Sequence, residues 1–131
     1  MRYAILAYHA DDAFETWSAE EDATLMKGLL EINDRLVAER HLGPAARLGP
    51  TKDARTLRGK NTDKADSIIV DGPFAETKEQ LLGLYIVDYP SIDGAIEAAR
   101  QLRRVNPTAV YEVRPIMLYV PGAELEGGGE S

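Results

Sequence analysis

The chain has no cysteine, which excludes disulfides and thiolate metal sites. Histidine is nearly as scarce: His9 and His41 are separated by a whole helical stretch. The spacing of His9, Asp11 and Asp12 matches no established ligand pattern, so no metal is expected. Positive charge is in deficit, with 15 Lys and Arg against 22 Asp and Glu and a formal net charge of −7. That balance argues against nucleic acid, whose binding relies on neutralising phosphates with Lys and Arg. No apolar run approaches the length of a membrane span, so no membrane partner is expected. A glycine-rich phosphate loop, a dinucleotide fingerprint and a G-x-S-x-G elbow are all missing, and no cofactor is expected. The chain enters a strand at Arg2 and Tyr3 with no charged and apolar leader before it, which predicts a soluble cytoplasmic protein.

The 131 residues present suffice for one domain with a single core. Charge is unevenly spread within it. Residues 40–64 hold Arg40, Arg47, Lys52, Arg55, Arg58, Lys60 and Lys64 against Asp53 and Asp63, while residues 11–22 hold six acids and no base. Such polarity steers an anion or orients two copies of the chain, or is simply a solvated hairpin opposite a solvated loop.

Tyr3 to Tyr8 reads as a strand with apolar residues on both sides, Tyr3, Ile5 and Ala7 against Ala4, Leu6 and Tyr8. Ser18 and Glu21 form a capping box, and Leu25, Leu29, Ile32 and Leu36 make the buried stripe of the helix that follows, with Gly28 inside it as a sign of close packing. Gly43 and Pro44 are expected to stop that helix, and residues 45–53 read as a connection. Short strands at Arg55–Arg58 and Ser67–Val70 make a hairpin. Leu82 to Val87 repeats the two-faced pattern, with Leu82, Leu84 and Ile86 on one side and Tyr85 and Val87 on the other. A second helix starts near Ser91 and buries Ile92, Ala95, Ile96, Ala99 and Leu102. The last strand runs from Ala109 to Val120, interrupted at Pro115. Residues 121–131 read as a flexible tail after a domain spanning residues 1–120.

The most specific stretch is Asp71 to Gly83, DGPFAETKEQLLG. Asp71 and Gly72 form a turn, and Pro73 ends the arriving strand. DGPFAETKE, with the opening RYAILAY and the closing EVRPIM at Glu112–Met117, resembles the DGPF, or YCII-related, proteins over residues 2–119. The resemblance implies an α+β, ferredoxin-like split βαβ fold, an antiparallel sheet with two helices on one face, paired into a dimeric α+β barrel. Patterning argues the same way. Two helices cover one face of a sheet, so strands apolar on both faces need a second sheet, and a second copy supplies it.

Asp71 is the candidate proton carrier, its alternative being an Asx-turn at a strand end. Arg114 and Glu112 point the same way from the last strand. They form either a mutual ion pair or, with Glu76, Lys78 and Tyr85, a substrate-binding set in which Arg114 clamps an anion through its planar fork. Lys78 lies between Glu76 and Glu79, which favour its charged ammonium and disfavour a nucleophilic role. The reading of function is a homodimeric small-molecule-binding protein or cofactor-independent enzyme acting by proton transfer on a small polar organic acid. Lactone isomerases and small monooxygenases of similar fold provide the analogy. The alternative is a regulatory or interaction module. The resemblance implies a link to an alternative sigma factor, through a protein partner rather than DNA.

Overall fold

A computed structural model of the chain describes residues 1–10, 18–60, 63–74 and 79–126. Its first strand, β1 (Arg2–Ala10), alternates as the sequence predicts: Tyr3, Ile5, Ala7 and His9 are buried, while Ala4, Leu6 and Tyr8 are half-buried on the opposite side. The first helix, α1 (Ala19–Ala38), opens on the capping box, in which the Glu21 amide donates to Ser18 Oγ and the Ser18 amide donates to the Glu21 carboxylate, each at 3.0 Å. Leu29, Ile32 and Leu36 are buried, with Leu25 and Met26 packed beside them. Trp17 lies outside the described residues.

The end of α1 differs from the expectation at Gly43 and Pro44. Arg40 takes φ 64°, its amide donates to the Val37 carbonyl, and the His41 amide donates to the Leu36 carbonyl, both at 2.9 Å. This pair of bonds closes a Schellman motif with arginine where glycine is usual. The helix thus ends at Ala38, and Leu42 opens strand β2 (Leu42–Arg47), which pairs antiparallel with a later strand. Residues 45–53 are therefore only partly a connection, completed by a short helical turn at Thr51–Asp53. The register slips between Leu42 and Ala45, where Pro44 sits, and an edge strand tolerates that missing donor.

The hairpin is longer than its apolar residues indicate, with β3 (Arg55–Lys60) and β4 (Asp63–Asp71) forming a separate two-stranded sheet. After it come β5 (Glu79–Asp88), α2 (Ile92–Val105) and β6 (Val110–Pro115). Ser91 occupies the N-cap position of α2 without making a side-chain cap bond. The last strand ends at Pro115, short of Val120. The main sheet has the order β2-β5-β1-β6, with every neighbouring pair antiparallel. Two helices on one face of this sheet make the α+β, ferredoxin-like fold.

Its core lies between that face and the helices, where Tyr3, Ile5, Tyr85 and Val87 meet Leu29, Ile32 and Leu36 of α1 and Ala95, Ala98, Ala99 and Leu102 of α2. The helices approach closely at Gly28, where an added Cβ would sit 3.2 Å from Val105 Cβ. Beside the core, the ring of Tyr89 stacks on His41 with centroids 4.1 Å apart and leans over Gly94, whose absent Cβ would lie 2.5 Å from Tyr89 Cδ1.

A bulge decides which residues of β5 face which way. Leu6 pairs with Leu84 and Ala7 with Gly83, but Tyr8 pairs with Leu81, so Leu82 is left over. Leu82 is consequently buried, away from Leu84 and Ile86, with which simple alternation groups it. Ala4, Leu6, Leu84 and Ile86 are cross-strand partners on the face without helices, where all four are half-buried.

Candidate functional site

The sequence-selected residues fall into three places. On the open face, Glu112 lies opposite Leu6 and Arg114 opposite Ala4. Tyr8 Oη donates to Glu112 Oε1 at 3.0 Å. Burial, then the bond to Glu112 and its negative charge, push the Tyr8 phenol up, with Arg114 opposing, so Tyr8, Glu112 and Arg114 form one electrostatic group. Next to Tyr8 and Leu81, a depression of about 680 Å³ is walled by Leu48, Pro50, Pro73 and Phe74. Two residues of the DGPF turn thus border it.

Asp71 stands apart from that group. It ends β4, 88 % of its side chain is exposed, and its Oδ1 is 3.2 Å from Arg55 Nε, the residue opposite it in the hairpin. An ion pair so exposed contributes little stability. The turn is fixed by other bonds: the Gly72 amide donates to the Ala54 carbonyl and Thr56 Oγ1 donates to the Gly72 carbonyl, both at 2.8 Å. Gly72 has φ +97°, a conformation that side-chain-bearing residues rarely adopt. Glu76 and Lys78 lie outside the described residues.

Tyr85 is on the opposite face from Glu112 and Arg114, under the helices. There it lines a cavity of about 360 Å³ between α1 and the β2 end of the sheet. Among the described residues, the walls are apolar at Leu25, Met26, Leu29, Leu30 and Leu82 and polar at His9, Asn33, Arg47, Tyr85 and Asn106. A mainly apolar space with a few convergent polar groups is the usual form of a small-molecule site.

Two of these polar groups are connected. His9, 5 % exposed, and Asn106, equally buried, are joined side chain to side chain, and Asn106 Nδ2 donates to Tyr111 Oη at 3.2 Å. The Asn106 amide group therefore has its oxygen for the imidazole and its nitrogen for the phenol. Burial lowers the His9 pKa below its ordinary value, and the charge of Arg47 lowers it further, against the opposing effect of the Asn106 bond. At neutral pH the ring is thus neutral and able to accept a proton. Burial raises the Tyr85 phenol strongly, with Arg47 opposing, so Tyr85 stays protonated and able to donate a hydrogen bond. Arg47 itself is held by Asp22 from the first turn of α1 through two bonds, Nη2 to Oδ1 at 2.6 Å and Nη1 to Oδ2 at 3.3 Å.

The sequence reading missed this cluster apart from Tyr85. One signal for it was present: the alternation of Tyr3, Ile5 and Ala7 continues to His9, which places that histidine on the core side.

A family model described as the YCII-related domain matches residues 1–119. The chain belongs to the YCII-related family. An uncharacterized protein of Rhizobium meliloti (strain 1021) is 48 % identical over 123 residues, covering 93 % of this chain and 97 % of that relative. The match takes in both faces of the sheet, so the His9 cavity and the Tyr8 group lie alike within the YCII-related region. Among the described residues, no helix is long and apolar enough to cross a membrane.

Proposed function

We propose that this YCII-related protein binds a small molecule in the cavity beneath α1 and acts on it by proton transfer without a cofactor, His9 being the proton acceptor. The observation that carries this reading is the buried, hydrogen-bonded pair His9 and Asn106, backed by Tyr111, at the wall of a cavity that also holds Arg47 and Tyr85. A neutral imidazole anchored through one nitrogen has the geometry of a general base, and a protonated phenol beside it suits an oxygen on which charge develops. Asp71, the proton carrier expected from the sequence, is not among the lining residues, so His9 is the stronger choice for that role.

The working form in this proposal is a homodimer. Ala4, Leu6, Leu84 and Ile86 present an apolar centre on the open face, and a second copy of the same sheet would cover it.

The direct test follows C–H exchange in D₂O by proton NMR, using a panel of small acids bearing acidic α-hydrogens. A catalysed exchange that falls by about 100-fold or more in His9→Gln is expected for a general base. Exchange undiminished in that variant would remove His9, and its loss in Asp71→Asn instead would return the role to the turn.

A further inference from the structure

A guanidinium of the cavity wall, that of Arg47, already holds a carboxylate supplied by the protein itself. Asp22 reaches from the first turn of α1 and engages Arg47 at the end of β2 through two roughly parallel contacts of 2.6 and 3.3 Å. This is the fork geometry in which a guanidinium best recognises a carboxylate. Both side chains are solvent-reached, at 30 % for Arg47 and 38 % for Asp22, so an incoming acid has access to the guanidinium. The charge of Arg47 is felt by two other cavity groups, lowering the pKa of His9 and opposing the rise at Tyr85, which sets the guanidinium beside both.

Around these polar groups the walls are Leu25, Met26, Leu29 and Leu82, with no second Lys or Arg among the described lining. We infer that the cavity takes a monocarboxylate with a short apolar tail, held by Arg47 in the place Asp22 occupies, with Asp22 as the built-in competitor that the ligand displaces. This rests on the cavity being the functional site. A dicarboxylate or a phosphate would bring extra charge against the leucine wall, and a neutral ligand would leave the Asp22 pair unchanged.

The experiment compares hexanoate with 1-hexanol, equal in chain length but different in charge, binding to the full chain by protein-observed NMR. Hexanoate is expected to bind about tenfold or more tightly than hexanol, and Arg47→Gln to erase that margin while leaving hexanol binding intact. Asp22→Asn is expected to tighten hexanoate by several-fold and to leave hexanol unaffected. Should Arg47→Gln not fold, Arg47→Lys tests the same point, since it keeps the charge and loses the fork; a reduced margin is expected there.

Equal binding of the two probes, or weaker hexanoate binding in Asp22→Asn, would overturn the carboxylate assignment and leave the cavity reading intact. Binding of neither probe would overturn both.

Discussion

The two faces of the main sheet are built from alternate residues of the same strands, yet they carry different chemistry. Beneath the helices, Tyr3, Ile5 and Val87 are sealed in a core, and the buried His9 and Asn106 are tied to each other. On the other face, Leu6, Leu84 and Ile86 remain half-exposed, and the polar group of Tyr8, Glu112 and Arg114 sits at the β6 side. Apolar content alone does not distinguish the faces. What distinguishes them is whether the chain provides its own cover.

The largest effect expected from breaking this contrast is on stability. Ile5→Ala, at a fully buried position, should cost about 2–5 kcal/mol in denaturant unfolding. Leu6→Ala, one residue along on the open face, should cost the isolated subunit well under half as much, and equal costs would deny that the faces differ. The next effect concerns association. Leu84→Glu on the open face should weaken self-association by about 100-fold or more, read by sedimentation, because an unpaired charge would enter the proposed contact. Unchanged sedimentation would count against the homodimer.

A third, smaller effect depends on pH. His9 has a folded pKa below its ordinary 6.5, so its contribution to stability is intact above that value. As pH falls below it, the unfolded chain takes up the proton first, and the contribution is lost towards the folded pKa. The wild type should therefore lose melting temperature between pH 7 and pH 5 more steeply than His9→Gln, and parallel slopes would contradict the buried neutral ring. The smallest effect is predicted on the open face, where Tyr8→Phe removes the bond to Glu112. Its cost should stay below about 1 kcal/mol, since water can replace the lost donor there.

The features legible in the sequence were the local ones. The capping box at Ser18 and Glu21, the helix stripe through Leu36 and the two-faced pattern of β1 each depend on residues close together in the chain. β2 was not legible because Gly43, Pro44, Ala45 and Ala46 have no alternation, and β5 supplies the pairing that makes them a strand. The bulge that buries Leu82 likewise arises from pairing with β1. The cavity was the hardest to foresee. His9, Asn33, Arg47, Tyr85 and Asn106 come from separate parts of the chain, and no spacing joins them before the fold does. The DGPF stretch shows the reverse case: a short, specific motif whose aspartate the structure places in an exposed ion pair with Arg55.

The contact of Tyr89 with Gly94 and His41 bears on the order in which this protein can change over generations. A methyl group at position 94 would meet the Tyr89 ring at 2.5 Å, so the glycine can be replaced cheaply only after the tyrosine has become smaller. Losing the tyrosine first also leaves His41 without its stacking partner. The three positions are therefore expected to drift as a linked set, with one sequence of steps open and its reverse closed.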